Sequence, residues 1–223
     1  ILLGLVGSEM CIRDRPDEIA FWLYSSGSTG QPKGVTHVHG SLRATAETYG
    51  SKVLGIREGD LVYSAAKIFF AYGLGNAMTF PMSVGATTLL LAGRPTPDGV
   101  LEILTNERPT LFCGVPTLFS AMLAALGGDD RIESALRLCI SAGEALPLAV
   151  GEGWLAKTGV DILDGVGSTE MLHIFLSNRE GDVVYGTSGV AVPGYEFRLV
   201  DEAGSEVGVG EIGELLVAGD SAA

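Results

Sequence analysis

Between residues 61 and 164 the chain alternates short, almost uninterrupted apolar runs with longer segments of helical period, and few folds accommodate that alternation. Residues 61–64, 87–91, 110–114, 136–141 and 161–164 read as strands. Residues 41–53, 76–83, 98–106, 117–126 and 147–158 read as helices, the last with proline in its first turn. A strand apolar on both sides must be covered on both sides. The pattern therefore predicts an α/β fold, a parallel sheet of βαβ units with helices over its faces. From about residue 182 the texture changes. Residues 183–187, 195–200 and 213–218 read as short strands between turns such as Val192-Pro193-Gly194 and Asp201-Glu202-Ala203-Gly204. That part predicts the start of an antiparallel, barrel-like sheet. The expected division is an α/β region over 16–180 and a β-rich subdomain over 181–223.

Composition narrows the classes. A length of 223 residues, 47% of them hydrophobic and 32 of them glycine, supports a large core with many tight turns. The formal net charge of −13 has no basic stripe to offset it, which argues against nucleic acid and against an anionic membrane surface as partners. Cys11, Cys113 and Cys139 have neither disulfide nor metal-site spacing, and the expected compartment is the cytoplasm. Residues 1–15 are set aside. Ile1 to Val6 is too short to span a membrane, and the following SEMCIRDR resembles a translated sequencing adapter.

The chemistry concentrates in turns. YSSGSTGQPKGV, from Tyr24, follows the apolar run 19–24. Its alternating hydroxyls and glycines (Ser25, Ser26, Gly27, Ser28, Thr29, Gly30) leave backbone N–H groups free to converge on an anion, and Lys33 adds a point charge. This is a phosphate loop without Walker spacing, because Pro32 precedes the lysine and Gly34 follows it. SAGEALP, residues 141–147, is either a plain strand-to-helix connector or a ligand loop at a strand's carboxyl end. In DGVGSTE, residues 164–170, two glycines make room, Thr169 offers a hydroxyl and Glu170 a carboxylate. A lone carboxylate beside a triphosphate suits Mg²⁺, which keeps most of its waters. Tyr72 with Phe69 and Phe70 reads either as core or as a wall around a flat ligand. His173 is equally a satisfied polar group at the edge of an apolar run or a pocket residue, and His37 and His39 are open between packing and function.

From about Asp17 onward the chain resembles the adenylate-forming acyl- and aryl-CoA ligases, and within them the benzoate-activating branch. FWLYSSGSTGQPKGV, SAAKIFFAYGLGNAMTFPMSVGA, PTLFCGVPTLFSAML, SAGEALP and ILDGVGSTEMLHIFLSN carry the resemblance. It implies that Ser25 to Gly30 and Lys33 hold the ATP phosphates, with Lys33 catalytic. Gly143, Glu144 and Ala145, with Asp164, Gly165, Val166 and Thr169, would frame adenine and α-phosphate. Thr169 and Glu170 would serve catalysis, Glu170 as the Mg²⁺ ligand. Phe70, Ala71, Tyr72, Gly73, Gly167 and His173 would surround the acyl group. His39 matches a histidine of the family. Val166 departs from it, since many relatives carry a tyrosine there that stacks on adenine.

The implied activity joins a small aromatic carboxylic acid to coenzyme A at the expense of ATP. The family's ribose-binding aspartate and mobile C-terminal lysine have no counterpart before residue 223, so the chain is expected to be an inactive fragment of a larger enzyme. A ligase for a hydroxy- or aminobenzoate, a P-loop phosphotransferase and a non-catalytic nucleotide-binding fragment are the alternatives.

Overall fold

The structure, a computed structural model, describes residues 15–26, 31–128 and 130–223. Residues 1–14, most of the segment set aside above, lie outside it, as does Cys11.

The chain opens with a hairpin. Strand β1 (Ile19–Ser26) pairs antiparallel with β2 (Pro32–Val38), Leu23 opposite Val35 and Ser25 opposite Lys33. The residues that follow the expected phosphate loop therefore form a strand paired back on β1. The β-branched Val35, Thr36 and Val38 favour that state, and Val35 and His37 alternate inward as a half-buried strand requires. This hairpin is a sheet of its own. Helix α1 (His39–Thr45) follows and continues as a π-helical segment, Ala46–Val53.

The centre is a seven-stranded sheet in the order β4-β3-β5-β6-β7-β8-β9. Strands β3 (Leu61–Ser64), β4 (Thr87–Leu89), β5 (Leu111–Gly114), β6 (Leu138–Ala142) and β7 (Ile162–Gly167) are parallel. Strands β8 (Ile174–Ser177) and β9 (Val190–Ala191) add antiparallel at one edge. Helices α4 (Pro97–Asn106), α5 (Pro116–Ala125) and α6 (Leu148–Thr158) cover one face, where Leu104, Phe119 and Trp154 pack on Tyr63, Phe112, Cys139 and Ile162. The other face meets the π-helical segment and helix α3 (Phe80–Val84) through Tyr49 and Phe80, against Val62, Leu111, Ile140 and Leu163. Successive residues of β5 and β6 thus enter different cores, which is why these strands read as unbroken apolar runs. A second hairpin, β10 (Glu196–Val200) with β11 (Glu214–Ala218), is antiparallel and two-stranded.

Three other expectations change. The strand at 87–91 stops at Leu89 and is an edge, not buried, with Leu90 68% exposed. Helix α2 (Ala71–Leu74) starts inside the aromatic loop and passes through a π-helical segment, Gly75–Thr79, into α3. Residues 183–187 form turns around the Asn178 side chain, which donates to the Thr187 carbonyl and accepts from the Val184 amide.

The amino ends of the parallel strands are tied by one buried ion pair. Arg137, just before β6, donates Nε to Asp60 Oδ1 at 3.0 Å and a second nitrogen to Oδ2 at 2.7 Å. Thr110, before β5, donates its hydroxyl to Asp60 Oδ1 at 2.9 Å. Burial pushes the Asp60 carboxyl up, but the bonds from Arg137, the Arg57 amide and Thr110 together outweigh it and hold the group below its ordinary value. With that end fastened, the carboxyl ends are left for ligands.

Candidate active site

The carboxyl ends of β3, β5, β6 and β7 open into one cavity of ≈ 860 Å³. Ser141 lies opposite both Gly114 and Asp164, so the turns after β5, β6 and β7 stand side by side. Phe70, Ala71, Tyr72, Gly143, Gly167, Thr169 and His173 all line the cavity. Gly73 sits behind the wall. A Cβ there would lie 2.1 Å from the Lys67 carbonyl oxygen, so glycine at this position closes the turn at Lys67.

His173 is 3% exposed and enclosed by rings, with centroids 5.0 Å from Tyr49, 5.7 Å from Tyr72 and 4.6 Å from Phe80. Burial pulls its pKa down to about 3, against a raising contribution from the Tyr72 carbonyl, so the imidazole is neutral at physiological pH. Nε2–H donates to that carbonyl at 3.4 Å. Nδ1 is then an acceptor, and it has no partner among the described residues. The Tyr72 hydroxyl donates between the carbonyls of Gly114 and Ile140, each 3.1 Å away, and burial raises its pKa, so it too stays neutral. The wall is aromatic and uncharged here. At the far side Lys67, on the cavity lining with Arg94, donates to the carbonyls of Leu91 and of Gly93, the latter at 2.5 Å.

The hairpin reaches this region through two bonds. Ser25 Oγ donates to Glu170 Oε1 at 3.3 Å, and His37 Nε2–H donates to the Thr169 carbonyl at 2.8 Å. Since Ser25 pairs with Lys33, the start and end of the phosphate loop both lie at the Thr169–Glu170 turn. Gly27, Ser28, Thr29 and Gly30 lie outside the described residues, and Ser26 pairs with Pro32. Lys33 and Glu170 are exposed. Glu170 and Ser25 present hard oxygens, and no group of three or more His, Cys, Asp or Glu suited to a metal occurs among the described residues. One carboxylate with phosphate and water is the environment Mg²⁺ takes, so the residues fit that ion.

The remaining positions divide. Gly143, Glu144 and Ala145 are exposed on the turn after β6, Gly143 at φ +94° with open space beside it. Val166 is 37% exposed at the end of β7. Asp164, by contrast, is buried. Its Oδ2 accepts from the Leu146 amide at 3.4 Å and its carbonyl from the Asn178 amide at 3.0 Å, so it stitches the 141–147 turn to β7 and β8. Burial pushes its carboxyl up, and the Leu146 amide partly opposes this. The space beside Gly165 is filled by Ile174 and the Leu176 carbonyl, and that beside Gly167 by the His173 carbonyl. Room at these glycines goes to strand β8. The sequence assigned no role to His37; its only signal was inward alternation along β2.

A family model, AMP-binding enzyme, matches residues 8–223. The chain belongs to the AMP-binding enzyme family. Among characterised members, it is 61% identical to a benzoate–CoA ligase of Thauera aromatica, over 94% of this chain and 40% of that protein. The solved benzoate CoA ligase from Burkholderia xenovorans LB400 is 56% identical with a TM-score of 0.89, over 95% of this chain and 42% of that one. An anthranilate CoA ligase solved with anthranoyl-AMP is 44% identical with a TM-score of 0.89, over 94% of this chain and 40% of that one. The chain therefore spans about 40% of the length of the relatives it matches. No helix among the described residues is long and apolar enough to cross a membrane.

Proposed function

We propose that the chain is the ATP- and acyl-binding part of an aryl acid–CoA ligase that converts benzoate, ATP and coenzyme A to benzoyl-CoA, AMP and pyrophosphate. A benzoate oxygen attacks the α-phosphorus, pyrophosphate leaves, and the thiol then displaces AMP from the acyl carbon. One observation carries this reading. A cavity with an uncharged aromatic wall of Phe70, Tyr72 and His173, and with Lys67 and Arg94 also on its lining, opens beside the Ser25–Glu170 pair, in a chain 61% identical to a benzoate–CoA ligase.

Each residue has a task in it. The backbone and hydroxyls of Ser25 to Gly30, with Lys33, receive the β- and γ-phosphates as pyrophosphate departs. Glu170, beside the Ser25 hydroxyl, holds Mg²⁺, which supplies charge neutralisation on the phosphates when bound. Thr169 donates to the α-phosphate. The turn Gly143–Glu144–Ala145 and Val166 take the adenine, with Asp164 and Gly165 as support beneath. Phe70, Ala71, Tyr72, Gly167 and His173 exclude water from the acid, with Gly73 holding the wall's backbone. Residues 16–180 and 181–223 serve as the α/β binding region and the β-rich subdomain. A cytoplasmic setting fits the two buried free thiols, Cys113 and Cys139.

The test is release of pyrophosphate by the full-length protein across benzoate, hydroxybenzoates and anthranilate. Benzoate-dependent pyrophosphate is expected; release of ADP instead, or strict dependence on an aliphatic acid, would refute the reading.

A further inference from the structure

The turn that carries Glu170 is fastened at three successive carbonyls by two separate parts of the chain, β2 and the segment after β11. His37 Nε2–H, from β2, donates to the Thr169 carbonyl at 2.8 Å. The Ala223 amide donates to the Glu170 carbonyl at 2.9 Å. The Ser221 hydroxyl donates to the Met171 carbonyl at 2.8 Å and receives a bond from the Tyr195 hydroxyl at 2.7 Å. His37 and Ser221 are both fully buried. Inside the turn, Ser168 Oγ accepts from the Met171 amide, and the Leu172 amide returns to the Thr169 carbonyl. Leu172 follows at φ 64°, a left-handed conformation that costs a branched side chain energy and persists only where its surroundings over-determine it.

We infer that His37 and Ser221 are positioning residues that fix the Glu170 carboxylate against the phosphate hairpin. A loop free to relax at Leu172 would swing the carboxylate away from Ser25. Anchoring the peptide on both sides of Glu170 leaves only its side chain to move. The chemistry asks for this, because a metal ligand that is exposed and singly anchored cannot be held by its own packing. The anchors are themselves set: His37 stacks on Phe21 at 5.5 Å, and Ser221 is held by Tyr195, on the loop that leads into β10. The turn is thereby tied to the segment that follows β11, so that a shift of this segment reaches Glu170 through Ser221 and Ala223. The inference rests on Glu170 being the metal ligand of the proposed ligase.

The experiment uses the full-length protein with α,β-methylene-ATP and Mn²⁺ as the spectroscopic stand-in for Mg²⁺, its affinity read by electron paramagnetic resonance. Disturbing the partners that orient a ligand typically weakens metal binding by about 10–100-fold. His37→Phe keeps the ring on Phe21 but cannot donate, and a loss of about 10-fold or more is expected. His37→Gln carries an N–H at similar reach and is expected to restore affinity to within a few-fold of wild type. Ser221→Ala should weaken Mn²⁺ as His37→Phe does, and melting temperatures separate this from general loosening. Unchanged affinity in both variants overturns the inference. So does loss of affinity only in proportion to lost stability, without rescue by glutamine. Absence of Mn²⁺ binding by the wild type overturns it together with the metal assignment, whereas Mn²⁺ binding without pyrophosphate release refutes the ligase reading alone.

Discussion

Gly75→Ala is the smallest change that tests how the proposed acid-binding wall is built. A Cβ at this position would lie 2.5 Å from His173 Cδ2, 2.7 Å from its Nε2 and 2.8 Å from Phe80 Cζ. Ordinary contact begins at 3.4 Å, so the imidazole must retreat by about 0.9 Å. Tyr49 and Phe80 close two of its other sides. Its remaining neighbours are the Tyr72 ring and the cavity that His173 lines. A move towards the cavity breaks the Nε2–H donation to the Tyr72 carbonyl and narrows the space proposed for the acid. Forcing a methyl into a packed core costs about 1–3 kcal/mol. A further offset of about 0.5 kcal/mol comes from replacing glycine in a helical segment, which favours the variant. The expected result in the full-length protein is a lower melting temperature, a KM for benzoate raised about 10-fold and a KM for ATP changed less than about 3-fold, as suits a loss confined to one subsite. Equal effects on both substrates, or unchanged stability and KM, would refute this account of the His173 cage.

Other outcomes follow from the same geometry. Arg137→Met leaves the Asp60 carboxylate buried without its partner and should cost about 3–5 kcal/mol in urea unfolding; a loss below about 1 kcal/mol would show that the pair does not fasten the strand ends. Because Asp60 is held below its ordinary value in the folded state, its contribution is present above the unfolded pKa, about 3.9, and fades as pH falls through the folded one. In Asp60→Asn the acid limb of stability below about pH 4 should therefore be shallower than in wild type, and an unchanged limb would remove Asp60 as its source. Glu170→Gln keeps the shape but gives the ion no charge. It should raise the Mg²⁺ needed for adenylation at least about 10-fold with little change in melting temperature; near-normal adenylation at limiting Mg²⁺ would remove Glu170 from the metal site.

The buried parallel strands were legible because each is apolar through and through and bounded by turn residues; Leu61–Ser64 lies where the pattern puts it. The three turns stood out because Ser, Thr, Gly and Glu cluster there beside apolar strands, and the structure sets Ser25 beside Glu170; part of that signal is packing, since Gly165 and Gly167 make room for strand β8. What escaped the sequence was long-range. Strand β2 looks unremarkable until Val35 meets Leu23 across the hairpin. Helix α2 was hidden by Gly73 and Gly75, which lower helix propensity yet are required by the Lys67 carbonyl and the His173 ring. Strand β8 was masked because Ile174 to Ser177 continues the apolar run from Met171, and only the left-handed Leu172 separates turn from strand. Ser221 lies 50 residues from the carbonyl it holds, and a lone serine carries no local signal for that.

The central claim is that the acid is activated as its adenylate. Benzoate labelled with ¹⁸O in both carboxylate oxygens, given to the full-length protein with ATP, Mg²⁺ and coenzyme A, decides it by mass spectrometry. Attack at the α-phosphorus followed by thiol displacement leaves one ¹⁸O in AMP and one in benzoyl-CoA. Label in inorganic phosphate alongside ADP would contradict the account.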